Sequence, residues 1–111
     1  MKNILLVVLV TTLFNVDLSI QSTQPIIHIV KIEDMKFVPE TIEIKTGETV
    51  RWINLTNNSH NIFAKDKSFK SKMLYSKGDS YEYTFKKEGS SEYYCQPHKI
   101  MGMNGNVNVR N

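Results

Sequence analysis

Apolar and polar residues alternate along short segments of the chain from Pro25 onward, which is the period-two pattern of β-strands. The run Thr41-Ile42-Glu43-Ile44-Lys45 shows the pattern most clearly, with its isoleucines predicted inward and its charged residues outward. Glycine and proline residues between the segments predict turns. The predicted strands and short apolar segments cover residues 26–33, 35–38, 41–45, 50–54, 62–64, 80–85, 91–95 and 105–109.

About seven short strands separated by turns are typical of an antiparallel β-sandwich, so an all-β fold is predicted. Two segments depart from the simple alternation of buried and exposed residues. The first strand, residues 26–33, is expected to be buried on both faces near its start. Residues 65–77 carry five lysines and one acidic residue and are the least strand-like part of the chain. We expect a short helix or an irregular excursion there.

Length, charge and cysteine content exclude several classes of function. The chain has 111 residues, enough for one domain around a single core and too few for a multi-domain enzyme. Its net charge is +3 and its lysines are interleaved with acidic residues, so nucleic acid binding is not expected. A mild basic bias suits an acidic protein partner instead. The single cysteine excludes an intramolecular disulfide.

The N-terminus has the features of a secretory signal peptide. Lys2 precedes a short apolar run from Ile4 to Phe14, which is shorter than the roughly 20 residues that a membrane span needs. We predict that residues 1–22 direct export and are then either removed or retained as an anchor. Residues 23–111 are predicted to form the functional domain, in the periplasm or another extracytoplasmic compartment. Stable membrane insertion is expected only if the N-terminal segment is retained.

Metal-binding donors are concentrated near the C-terminus. Cys95, His98, Met101 and Met103 lie within nine residues, whereas a lone cysteine is ordinarily just a buried residue. His60 comes from a separate loop, and a sandwich gathers its loops at its ends. Two imidazoles, a thiolate and a weakly bound thioether form the ligand set of an electron-transfer copper. These residues therefore predict a copper site between two loops.

Four motifs together resemble the cupredoxin family of small blue copper proteins, in particular its plastocyanin, pseudoazurin and amicyanin group. They are Met35-Lys36-Phe37-Val38-Pro39-Glu40, Gly47-Glu48-Thr49-Val50-Arg51-Trp52-Ile53-Asn54, His60-Asn61-Ile62 and Tyr94-Cys95-Gln96-Pro97-His98. The resemblance covers essentially all of residues 26–110. It implies a Greek-key β-sandwich of about seven to eight strands that binds one type 1 copper ion, which cycles between Cu(I) and Cu(II).

By this resemblance His60, Cys95 and His98 are the equatorial copper ligands, and Asn61 is expected to connect the two ligand loops by hydrogen bonding. Two methionines compete for the axial position. Met101 has the spacing of amicyanin-like loops, and Met103 has that of plastocyanin- and pseudoazurin-like loops. The residues that follow Met103 fit the family pattern better, so Met103 is the predicted axial ligand. Met101 is assigned to an apolar rim around His98.

The resemblance implies a diffusible one-electron carrier between a redox protein donor and acceptor, rather than an enzyme, and we expect a monomer. Electrons are expected to pass through the exposed edge of His98, inside an apolar patch of Pro97, Ile100 and Met101. Surface lysines would steer a transient acidic partner. Two other functions stay open, namely copper sequestration or delivery and nucleophilic catalysis by Cys95 with His98 as its base.

Three further features are given structural interpretations. His28 stands alone in the first strand and is predicted to be a surface or sheet-edge histidine rather than a ligand. Asn54-Leu55-Thr56 and Asn57-Asn58-Ser59 both match the acceptor pattern for N-glycosylation. We interpret both as chance matches, because they lie beside the predicted metal loop.

Overall fold

The computed structural model describes residues 24–111. The predicted signal peptide, residues 1–22, lies outside this range. No helix in residues 24–111 is both long enough and apolar enough to cross a membrane.

Within residues 24–111, eight strands form two four-stranded sheets, which confirms the predicted β-sandwich. The strands are β1 (Ile27–Glu33), β2 (Lys36–Val38), β3 (Thr41–Lys45), β4 (Thr49–Asn54), β5 (Phe63–Ala64), β6 (Ser80–Thr84), β7 (Gly89–Tyr94) and β8 (Asn104–Arg110). One sheet has the order β2-β1-β4-β6, and the other has the order β3-β8-β7-β5.

Each sheet is mixed rather than wholly antiparallel. β1 pairs with β4 in parallel, and β3 pairs with β8 in parallel, whereas the other strand pairs are antiparallel. The parallel pairs arise because the chain crosses to the second sheet at β3 and returns beside β1 at β4. Side-chain alternation has the same period in both pairings, so it does not reveal strand direction.

The core lies between the sheets and is rich in aromatic side chains. Trp52 and Tyr93 are fully buried and meet edge to face, with ring centroids 5.3 Å apart. Phe69 stacks on Trp52 at 5.8 Å, although it lies outside the strands. Such aromatic contacts add about 0.5–1.5 kcal/mol each to the free energy of area burial. They form a packed body from which the loops at one end project.

Burial on both faces at the start of β1 was a wrong expectation. Ile27 and Ile29 are partly exposed, while Val30 and Ile32 further along the strand are fully buried. The cause is that a two-layer sandwich covers only the inner face of each sheet. In addition, β2 pairs with residues Lys31–Glu33 and does not extend beside the start of β1.

Residues 65–77 form the irregular excursion rather than a helix. Phe69, Ser71 and Leu74 are buried, so this segment packs onto the sandwich despite its many lysines. Backbone hydrogen bonds connect Ser71 N to Ile62 O at 2.8 Å and Leu74 N to His60 O at 2.7 Å. The excursion therefore covers and holds the loop that carries His60.

Candidate metal centre

His60 is held rigidly at one end of the sandwich. Its side chain is completely buried, at 0% exposure. Its backbone pairs with Leu74 in both directions, with N–O distances of 2.7 and 3.1 Å. On its imidazole ring, Nδ1 lies 3.8 Å from Cys95 Sγ, and Nε2 lies 3.0 Å from Thr56 Oγ1. Both ring nitrogens thus have defined neighbours. Thr56 was not predicted as a site residue, because a spacing of four residues in a loop does not mark a hydrogen-bond partner of a ligand.

Cys95 directly follows β7 and starts the last loop. Its backbone N–H donates to Met103 O at 3.0 Å, and its carbonyl oxygen accepts from His98 N at 3.2 Å. Two short 3-10 turns, separated by a kink at His98, span Gln96–Met101 and fill most of the loop. Neither turn was predicted from the sequence. Gly102 ends it in the left-handed conformation with φ 74°, which glycine adopts without strain. The loop is therefore closed by backbone bonds between its two ends.

Asn61 connects the two ligand loops, as the resemblance implied. Its side-chain oxygen accepts a hydrogen bond from Gln96 N at 2.8 Å, and its amide nitrogen donates to Gln96 Oε1 at 2.7 Å. Asn61 is buried, and Gln96 is the residue directly after Cys95. The distance between His60 and Cys95 is thus controlled by hydrogen bonds between their immediate neighbours.

Three predicted donors converge. One ligand atom from each of His60, Cys95 and His98 lies within 4.8 Å of the others, and Cys95 Sγ is 3.4 Å from His98 Nδ1. Zinc binds nitrogen and sulfur ligands at about 2.0 and 2.3 Å, and we take similar lengths for copper. At the roughly 120° angles of a trigonal site, the nitrogen and sulfur atoms would then lie about 3.7 Å apart. The two observed separations bracket that value, so the donor set fits a trigonal His₂Cys copper site.

Burial shifts the pKa of two of the donors in opposite directions. Burial raises the pKa of the Cys95 thiol, and hydrogen bonds from the backbone amides of Asn61 and His98 partly oppose that rise. Burial also lowers the pKa of His60, and the neighbouring His98 lowers it further. His60 is therefore held neutral and able to donate its lone pair. Binding a cation requires Cys95 to lose its thiol proton.

The two methionines of the last loop lie in opposite environments. Met103 is 1% exposed and belongs to the buried cluster that includes Cys95. Met101 is 68% exposed, beside the fully exposed Ile100. Met103 N also approaches His98 O at 3.4 Å, which places its backbone next to the converging donors. Only Met103 is therefore enclosed with the site.

Charged and aromatic side chains surround this end of the molecule. Lys99 Nζ lies 4.7 Å above the ring of Tyr94, and Lys70 Nζ lies 5.5 Å above that of Phe63. Lys65 instead pairs with Glu92 at 3.0 Å, so its charge is partly neutralised. Lys99 belongs to the loop that carries His98, and Lys70 approaches that loop through Phe63, whose ring packs against Tyr94. Lys65 lies further back along β7.

His28 lies away from the metal-binding residues. Its Nε2 is 3.1 Å from Glu48 Oε1, in the part of β1 that has no β2 neighbour. It is a partly exposed histidine at a local sheet edge, as predicted. Within residues 24–111, the one group of histidine, cysteine or acidic side chains arranged to hold a metal is His60, Cys95 and His98.

Comparison with known proteins gives a consistent result. The profile of a family described as copper binding proteins, plastocyanin/azurin family, matches residues 26–110. Amicyanin from Paracoccus versutus is 37% identical over 78 residues, which cover 66% of this chain and 58% of that protein. Plastocyanin from Scenedesmus fuscus is 33% identical over 84 residues, which cover 67% of this chain and 86% of that protein. A solved structure of a reduced amicyanin mutant superimposes with a TM-score of 0.67 at 30% identity, covering 75% of this chain and 81% of that one.

Proposed function

Because the chain belongs to the copper-binding plastocyanin/azurin family, we propose that it is an exported, diffusible one-electron carrier that holds a single copper ion. In this proposal His60, Cys95 and His98 are the equatorial ligands and Met103 is the axial ligand. Copper supplies the Cu(I)/Cu(II) couple, while the protein supplies a fixed set of donors. The observation that carries the proposal is the convergence of one thiol and two imidazoles within 4.8 Å.

A carrier needs donors that stay in place when the charge of the ion changes. Thiolate and thioether donors suit Cu(I), and imidazoles also suit Cu(II), so a mixed set accepts both oxidation states. The bonds from Asn61 to Gln96 and from Cys95 to Met103 hold that set in one geometry. We therefore infer that little of the structure has to rearrange when an electron is transferred.

The protein is proposed to exchange electrons at the His98 edge of the site. His98 is only partly buried, and the apolar residues around it, Pro97, Ile100 and Met101, are exposed. This surface suits a small, transient contact with a redox partner. Lys70 and Lys99 stand nearby, and positive charge there would speed encounter with an acidic partner. The carrier is proposed to act as a monomer in an extracytoplasmic compartment.

No enzymatic activity is proposed. A catalytic metal keeps an open coordination position for substrate. Here three donors and the buried Met103 would surround the ion, which leaves no such position. In the proposal Cys95 is a ligand and not a nucleophile.

The test is spectroscopic. Purified protein loaded with Cu(II) should show an intense visible absorption from charge transfer between the Cys95 thiolate and the metal. The variant Cys95→Ser should lose that absorption while keeping the far-ultraviolet circular dichroism of a β-sandwich. A wild-type protein that binds no copper, or a serine variant that remains coloured, would overturn the proposal.

A second measurement separates a carrier from a copper-delivery protein. Repeated chemical reduction and reoxidation in the presence of a Cu(I) chelator should leave the copper bound if the protein is a carrier. Rapid loss of the reduced ion to the chelator would favour sequestration or delivery instead. Metal content after each cycle is measured by atomic absorption.

A further inference from the structure

A hydrogen-bond relay reaches the His60 ring from the end of β4. The amide nitrogen of Asn54 donates to Asn58 O at 2.9 Å and to Leu74 O at 3.1 Å. Both of these carbonyl oxygens can only accept, so they fix which end of the Asn54 amide is nitrogen. The Asn54 side-chain oxygen must then be the atom 2.8 Å from Thr56 Oγ1. Asn54 itself is completely buried.

The orientation of Asn54 determines the direction of the next bond. An oxygen–oxygen separation of 2.8 Å requires a proton between the atoms, and the Asn54 oxygen has none to give. Thr56 Oγ1–H must therefore donate to Asn54. The other nearby acceptor, Asn58 O at 3.3 Å, would also draw this proton away from His60. One lone pair of the Thr56 oxygen accepts a hydrogen bond from Asn58 N at 3.2 Å, and the other is presented to the imidazole.

The last bond determines the tautomer of His60. Thr56 Oγ1 can only accept at its 3.0 Å contact with His60 Nε2, so Nε2 must carry the ring proton. In the neutral imidazole the other nitrogen, Nδ1, is then the lone-pair donor. Nδ1 is the atom that faces Cys95 Sγ at 3.8 Å.

We propose that Asn54 and Thr56 are positioning residues that hold His60 in the Nε2–H tautomer and aim its Nδ1 at the metal. This inference rests on the proposed copper site for its purpose, but the tautomer is a property of the metal-free protein. It also gives the Asn54-Leu55-Thr56 motif a structural role. The Asn54 amide nitrogen is buried and makes two hydrogen bonds, so this motif does not offer a glycan acceptor in the folded protein.

A purely structural role for Thr56 can be separated from a positioning role. The turn at this point also uses the Thr56 backbone, whose N–H donates to the Asn54 oxygen at 2.9 Å. Thr56→Val keeps that backbone bond and the side-chain shape but removes the hydroxyl. Thr56→Ser keeps the hydroxyl. Thr49→Val is a matched control, because it removes a buried threonine hydroxyl at the opposite end of β4, where it bonds only Thr84.

The first readout is the tautomer in metal-free protein, measured from the ring ¹⁵N–¹H couplings of His60 by nuclear magnetic resonance. Wild type, Thr56→Ser and Thr49→Val should show the Nε2–H form. Thr56→Val should gain the Nδ1–H form, because its Nε2–H lacks an acceptor. A wild-type protein with Nδ1–H, or a valine variant with unchanged couplings, would overturn the relay whether or not copper binds.

The second readout is copper affinity and reduction potential. Loss of an outer hydrogen bond to a ligand typically weakens metal binding by about 10–100-fold. Thr56→Val should therefore bind Cu(II) roughly tenfold more weakly. If Cu(I) binding is unchanged, the potential should rise by about 59 mV for this one-electron couple. Thr56→Ser should stay near wild type. Equal losses in the serine and valine variants, or none in either, would overturn the positioning role.

Discussion

The two ligand loops are built on opposite principles. In the loop that carries His60, the histidine side chain is buried, its backbone is paired with Leu74, and its far ring nitrogen is bonded to Thr56. The loop that carries His98 is stabilised mainly by its own backbone, and its residues Ile100 and Met101 project into solvent. One loop immobilises a donor inside the fold, and the other presents a donor at the surface.

This difference indicates a division of roles in the proposed carrier. The inner loop keeps the geometry of the ligand set, because its donor cannot move without disturbing the core. The outer loop gives a partner access to the site through His98. The hydrogen bonds between Asn61 and Gln96 connect the two loops, so they help to hold the loop of the accessible His98 against that of the buried His60.

The largest expected effect is the loss of the visible absorption when either imidazole is removed. His98→Gly should leave a gap that opens to solvent, so added imidazole should enter and restore the visible absorption. His60→Gly should leave a closed gap, since that side chain is 0% exposed. Half of the absorption should return in His98→Gly at an imidazole concentration at least about tenfold lower than in His60→Gly. A tenfold ratio corresponds to a difference of about 1.4 kcal/mol in the free energy of imidazole binding.

The control for imidazole rescue is His28→Gly, which removes a histidine bonded to Glu48 away from the site. Its visible spectrum should match that of wild type with and without imidazole. Equal rescue of the two ligand variants would show that burial does not distinguish the loops. Absorption titrations at fixed copper concentration provide the comparison.

The next effect concerns the connection between the loops. Asn61→Ala removes two hydrogen bonds to Gln96, and each such bond contributes about 1 kcal/mol net. We expect the free energy of unfolding of the metal-free protein to fall by about 2 kcal/mol. Urea denaturation followed by Trp52 fluorescence measures it.

Asn57→Ala is the matched control for the loop connection, because Asn57 is an exposed asparagine in the same loop. Surface substitutions of this kind usually change stability by less than about 0.5 kcal/mol. If Asn61→Ala were equally mild, the two loops would be held together by something other than this side chain.

Much of the fold was predictable because it depends on local alternation. The strand at Thr41–Lys45 and the inward Val107 and Val109 of β8 follow directly from period-two burial. The parallel pairing of β1 with β4 was not predictable, since alternation carries no direction. Burial at the start of β1 was predicted wrongly, because apolar composition alone does not show that a layer covers the outer face.

The site was predictable to a similar extent. The donors and the role of Asn61 followed from family motifs, which preserve spacing between residues that meet in the fold. Thr56 was overlooked because its part depends on the direction of hydrogen bonds in a buried relay. The contribution of residues 65–77 was also not predictable, since an irregular, lysine-rich segment gives no sign that its Leu74 supports His60.

The smallest effect expected concerns the two methionines within the outer loop, and it tests whether burial or chain position defines a ligand. In the proposal Met103 is a weak, long axial donor, so its softness favours Cu(I) only slightly. Cu(II) takes a higher coordination number than Cu(I), so losing a fourth donor costs Cu(II) more. Met103→Leu should therefore raise the reduction potential, by at least about 59 mV if the relative affinity changes tenfold. Met101→Leu should leave the potential unchanged, because that side chain is 68% exposed. Voltammetry of both variants, with the visible absorption retained in each, makes the comparison. The reverse outcome would assign the axial position to Met101 and would mean that the outer loop reorganises around the metal. The proposed outcome would mean that the outer loop, like the His60 loop, holds its ligand Met103 buried inside the fold.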